Sequence, residues 1–120
     1  MTATVSGLRS HDGQVLACLT ANPRDFPDCR HDPAARKRVV PARLASTIDF
    51  GAVASGSYAI ALLHDENGNG KADMAVMIPR EGFGFSRDAP VRFGPPSFAK
   101  AAFPVKDEPV RQTIRMRYIF

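Results

Sequence analysis

No run of eighteen apolar residues occurs in the 120-residue sequence, so no stretch reads as a membrane-spanning helix. Long helix-forming runs are scarce too, while ten prolines and nine glycines punctuate the chain, which favours strands joined by turns. The net charge of +4 would suit a nucleic acid, an anionic lipid or an acidic polysaccharide. The arginines are scattered rather than gathered, however, and read as solvated surface, so no nucleic-acid partner is expected. Gly-x-Ser-x-Gly is absent, leaving Ser86 outside any nucleophile-elbow context. The dipeptides His11-Asp12, His31-Asp32 and His64-Asp65 are not dyads in themselves, because neighbours on a strand point to opposite faces. No signal peptide is present, and the chain starts almost directly in a strand (Thr4 to Leu8), which fits a mature or trimmed form with Met1 added.

Cysteine is nearly absent as well. Cys18 and Cys29 are the two present, and three readings stand. They form one disulfide closing a short loop, worth about 3 kcal/mol on the chain-entropy estimate, or they are two reduced core thiols. In the third reading they join His31 at a metal, although this spacing matches no closed zinc pattern. The disulfide reading implies an oxidising compartment.

What the chain does contain is short apolar segments bounded by turn residues. Thr2 to Leu8 reads as a first strand, ended by Ser10-His11-Asp12-Gly13, where Asp-Gly signals a hairpin into Gln14 to Thr20. Phe26 reads as an inward anchor in an irregular segment. Asp32-Pro33 could open a helical turn near residues 33–38, and Arg36-Lys37-Arg38 reads as a solvated basic cluster. Ala42 to Phe50, Tyr58 to Leu63 and Met74 to Ile78 supply further strands, and Ser97 to Val105 places Phe98 and Phe103 in a strand or in a short turn before one. From Pro109, Val110, Ile114, Met116, Tyr118 and Phe120 alternate with Arg111, Thr113, Arg115 and Arg117, the period of a half-buried strand. About seven short strands predict one all-β domain over residues 1–120, an antiparallel β-sandwich of immunoglobulin-like or transthyretin-like type.

The densest chemistry lies in His64-Asp65-Glu66-Asn67-Gly68-Asn69-Gly70-Lys71-Ala72-Asp73. Oxygen-bearing side chains stand at alternate positions, Asp65, Asn67 and Asn69, followed by the Lys71 carbonyl and Asp73. That is the opening of an EF-hand-type loop, with Gly70 at the sharp turn. Val76 stands where a bidentate Glu would close the cage, and Glu81 or Glu66 are the nearest acids to lend that oxygen. A strand-like run, not a helix, leads into the loop. With two carboxylates and two amides, the expected Ca2+ affinity is roughly 10⁻⁴–10⁻³ M. The competing reading is a plain hairpin turn with solubilising acids.

Glu81-Gly82-Phe83-Gly84-Phe85-Ser86 is the second notable stretch. Its glycines let the backbone pass close to something. Phe83 and Phe85 either present an aromatic platform to a sugar or apolar ligand, or fold back as a lid on the core while Glu81 supplies the missing oxygen. With this motif, the Asp/Asn loop, Pro95-Pro96-Ser97-Phe98 and Ala101-Ala102-Phe103, the chain resembles the bacterial DUF2141 family of uncharacterised exported proteins over nearly its whole length. The resemblance implies a small all-β domain that leaves the cytoplasm, for the periplasm or the exterior, and implies no established activity.

Two functional readings follow. The first is a calcium-stabilised exported binding module at the cell envelope, for a glycan, a small apolar ligand or an envelope protein. The second is a metal-assisted hydrolase acting on envelope material, which needs an open coordination position and a base such as His64 or Glu81.

Overall fold

The computed structural model describes residues 1–29, 31–66, 82–91 and 94–118. Among them eight strands form two sheets, the all-β sandwich expected from the sequence. In one sheet β1 (Thr2–Ser6) lies between β4 (Thr47–Asp49) and β8 (Arg111–Arg115). In the other, β3 (Arg36–Pro41), β2 (Gln14–Thr20) and β5 (Gly56–Asp65) run side by side, and the far edge of β5 is shared by β6 (Gly82–Phe85) and β7 (Phe103–Val105). Pairing is antiparallel except between β1 and β8, which are parallel with Thr2 opposite Arg111.

Alternation along the strands fills the space between the sheets. Ala3, Val5, Ile48 and Ile114 from one sheet meet Val15, Ala17, Leu19, Ile60 and Leu62 from the other, with Phe50, Phe103 and Met116 closing the core. β5 is apolar nearly throughout because both its faces are covered, as in central strands generally. Its outer face carries Ala59 and Ala61, small enough to leave room for the rings of Phe83 and Phe85, which pack there with Ala89 and Ala101 beneath Phe26 and Phe98. Phe26 meets Phe85 edge-on at 5.8 Å between ring centroids, and Phe98 at 6.1 Å. The molecule therefore has two apolar layers, one between the sheets and one outside β5.

β6 and β7 leave a gap between them on the β5 edge. β6 pairs with residues 61–64 and β7 with residues 56–58. The Ile60 amide in that gap donates to Ser86 Oγ (2.9 Å), and the same hydroxyl donates to the Ala101 carbonyl (2.6 Å), at the end of the single helical turn α1 (Phe98–Ala101). Ser86 is fully buried and closes the ladder where neither strand reaches.

The two long edges of the sandwich are joined differently. On one, Phe83 and Arg117 exchange backbone hydrogen bonds of 3.0 and 2.8 Å, linking β6 to the end of β8. On the other, Arg36 donates to the Ala52 carbonyl and Arg38 to the carbonyls of Asp49 and Phe50, tying β3 to the segment after β4. The Arg36-Lys37-Arg38 cluster, read from the sequence as solvated, is thus half tether.

Local expectations change in three places. Gly13 takes the positive φ of 68° that its turn demands, but β1 and β2 separate into different sheets, so Asp12-Gly13 links layers and not a hairpin. Residues 33–34 form only a turn and Arg36–Pro41 continues as β3, because pairing along β2 outweighs the local helix signal. In 42–50 the pairing is confined to Thr47–Asp49, since Ala42–Leu44 winds into a 3₁₀ turn. The expected strand Met74 to Ile78 lies outside the described residues.

Candidate functional site

β5 delivers Asp65 to the mouth of the Asp/Asn loop. Asp65 is fully buried, and its Oδ2 accepts a hydrogen bond from Gln14 Nε2 (3.1 Å), the residue opposite it on β2. Gly13 packs directly on this strand end. A Cβ there would stand 2.0 Å from the Asp65 carbonyl oxygen, so only glycine permits the approach. The loop's first acid is therefore held by two adjacent strands. Asn67, Asn69, Lys71, Asp73 and Glu81 lie outside the described residues. Among the described residues, no group of three or more His, Cys, Asp or Glu is placed to hold a metal.

His64 beside it is fully buried, and both ring nitrogens are engaged. Nε2 lies 2.8 Å from the Asp12 carbonyl, which can only accept, so Nε2 carries the proton. Nδ1 then accepts from the Tyr118 hydroxyl at 2.7 Å. Tyr118 in turn accepts from the Arg9 amide (3.2 Å), and the Arg9 guanidinium lies over the tyrosine ring, 4.4 Å from its centroid. Arg9 Nε donates to Glu66 Oε1 at 2.9 Å and Ser10 Oγ to Glu66 Oε2 at 2.9 Å. The result is a clasp in which the 9–12 turn grips both the end of β5 and Tyr118.

The electrostatics follow from these contacts. The hydrogen bond from Arg9 holds the Glu66 carboxyl below its ordinary range, helped by Ser10. The same contact raises Arg9, and burial raises the Tyr118 phenol. Glu66, one of the two acids that could lend an oxygen to the ion loop, is thus committed to Arg9 and Ser10. Both His64 nitrogens are likewise committed, while Glu81, the other base named for the hydrolase reading, lies outside the described residues.

The Gly-Phe-Gly-Phe stretch forms β6. The rings of Phe83 and Phe85 are only 3% and 2% exposed, so they pack in the outer apolar layer and do not form the exposed platform considered from sequence. Their glycines face the other way, and what passes close is the protein itself. A Cβ on Gly82 would stand 2.2 Å from the Tyr118 ring, and one on Gly84 would stand 2.7 Å from Ile114 Cγ2. Ser86 is tied to two backbone groups in the core. Tyr118, Arg9 and the Asp12 carbonyl were not singled out by sequence; the period of two placed Tyr118 on the inner face, but not against His64.

Cys18 and Cys29 form a disulfide with Cα atoms 6.3 Å apart, within the span such bonds take. This removes the metal reading with His31, since the sulfurs are bonded to each other and His31 is exposed. The bond pins the 21–29 segment, and with it Phe26, against β2. Asp25 steadies the same loop by accepting the His31 amide on both oxygens, at 3.0 and 3.1 Å.

A family model described as "Uncharacterized protein conserved in bacteria (DUF2141)" matches residues 3–113. The chain belongs to the DUF2141 family. The match runs from the first strand to the middle of β8 and so takes in nearly all of the sandwich, the Asp/Asn loop and the Gly-Phe stretch. No curated protein and no solved structure matches this DUF2141 chain. No helix among its described residues is long and apolar enough to cross a membrane, and its disulfide is the kind of bond that persists in oxidising compartments.

Proposed function

We propose that this DUF2141 domain is an exported, calcium-stabilised β-sandwich that acts as a binding or interaction module at the cell envelope, in the periplasm or outside the cell. Asp65, with Asn67, Asn69, the Lys71 carbonyl and Asp73, would hold the ion, and Glu81 would lend a further oxygen. The bound ion would supply charge neutralisation for these acids and cross-link the loop to β5. The observation that carries the reading is Asp65: a carboxylate fully buried at the end of the central strand and steadied by Gln14, at the first position of the ligand pattern. An interior carboxylate is costly unless hydrogen-bonded or paired with positive charge.

The test is thermal unfolding in about 1 mM Ca2+ and in EDTA, for the wild type and Asp65→Asn. With a Kd of about 0.1 mM, calcium adds about 1.4 kcal/mol, a shift of several degrees. Asp65→Asn abolishes the calcium dependence. A wild-type protein that unfolds at the same temperature in both buffers overturns the reading.

A further inference from the structure

A cleft of about 720 Å³ opens beside the clasp, lined by Gly7, Phe83, Pro90, Val91, Arg115, Met116, Arg117 and Tyr118. Its volume falls within the roughly 300–1,000 Å³ usual for small-molecule sites. Pro90, Val91 and Tyr118 supply the apolar surface of the cleft, since the Phe83 and Met116 side chains are only 3% exposed, and no acid is among its described lining residues. Three amides of the wall are already engaged: that of Arg115 donates to Asp88 Oδ1 (3.0 Å), that of Met116 to the Ser6 carbonyl (2.8 Å) and that of Arg117 to the Phe83 carbonyl (2.8 Å). The Tyr118 hydroxyl is engaged with His64 and the Arg9 amide, so the cleft meets its ring.

The charged groups that the described lining offers for polar recognition are the guanidinium groups of Arg115 and Arg117. Both side chains are exposed, and neither makes an ion pair or side-chain hydrogen bond with another described residue. Two positions apart on extended chain, they rise from the same side of the strand roughly 7 Å apart, close enough for both forks to reach one carboxylate or phosphate. A site with an apolar floor, two cations at its rim and no acid among its described lining residues favours one ligand chemistry.

We propose that this cleft binds a monomeric organic anion whose carboxylate or phosphate sits between Arg115 and Arg117 and whose apolar body lies on Pro90, Val91 and Tyr118. The inference rests on the binding-module reading and gives it a site, but it does not depend on the ion.

The test is an NMR titration of the ¹⁵N-labelled protein with decanoate, decanol and acetate, each in calcium and in EDTA. Decanoate is expected to give saturable shifts centred on Gly7, Phe83, Val91 and residues 115–118, with decanol and acetate at least about tenfold weaker. Arg115→Gln with Arg117→Gln weakens decanoate at least about tenfold. Arg43→Gln with Arg111→Gln, exposed positions outside the cleft and the same change in net charge, leaves it unchanged. Equal binding of decanol, equal loss in both double variants, or no saturable shift at millimolar decanoate each overturns the proposal. So does arginine-dependent binding to anionic phospholipid vesicles without any response to decanoate, which would mark a membrane-facing surface instead. Decanoate binding that persists in EDTA, beside an absent calcium shift in unfolding, would defeat the ion reading alone.

Discussion

Replacing Ser86 with alanine removes one oxygen atom and leaves two buried backbone groups without their partner. The Ile60 amide loses its acceptor and the Ala101 carbonyl its donor, both in a fully buried setting. Alanine nearly matches serine in volume, so the cavity contribution is small and the cost is the desolvation of the two groups. At about 1–3 kcal/mol for each unsatisfied buried group, with some relief by local relaxation, the expected loss is roughly 2–4 kcal/mol. For a domain of this size that lowers Tm by roughly 8–16 °C. Urea unfolding should show a lower midpoint at unchanged slope, and the Ile60 amide should exchange faster than its neighbours in β5. A loss under about 0.5 kcal/mol, with Ile60 still protected, would refute the view that this hydroxyl completes the ladder.

Gly82→Ala drives a methyl group into the Tyr118 ring and should cost roughly 1–3 kcal/mol; displaced Tyr118 resonances and loss of the His64 hydrogen-bonded ring signal by NMR would confirm that the damage runs through the clasp. Glu66 is depressed by Arg9 in the folded state, so its contribution is present above the unfolded carboxylate value, about 4.3, and disappears as pH falls through the lower folded value. Glu66→Gln should therefore be less stable than wild type near pH 7, and the two unfolding midpoints should converge below about pH 4. Reducing the Cys18–Cys29 bond, or replacing both cysteines with serine, should cost about 3 kcal/mol from the eleven-residue separation it closes, measured by urea unfolding with and without reductant.

Much of the sandwich was legible because its strands report their burial directly. Gln14 to Thr20, the unbroken apolar run into His64 and the alternation from Val110 to Tyr118 each correspond to β2, β5 or β8 in type and near-register. Partners were not legible. Nothing local distinguishes an Asp12-Gly13 turn that folds a strand back on itself from one that carries it to the opposite sheet, and the parallel match of β1 with β8 is a contact between chain ends. The Gly82 to Phe85 alternation announced a close approach, but only three-dimensional packing identifies Tyr118 and Ile114 as what approaches. At the candidate site, the ligand pattern and its anchor Asp65 came from spacing. The clasp did not, since Arg9, Asp12, His64, Glu66 and Tyr118 are scattered through the chain and meet only when β5 and the end of β8 are brought together. The cleft is further removed still, being a shape left between elements.

The unequal joining of the two edges gives the sandwich a bound side and a free side. Between β6 and the end of β8 the sheets are stitched main chain to main chain, and those bonds are lost only when both strands lose their shape. Between β3 and β4 they are held by arginine side chains reaching across to carbonyls, contacts that rotate away without any change in either sheet. Like a book, the molecule has a spine and a fore-edge. Thermal opening short of full unfolding is expected to start at Arg36 and Arg38, while Asp65, the clasp and the arginine-rimmed cleft lie towards the spine and should keep their geometry as the fore-edge breathes.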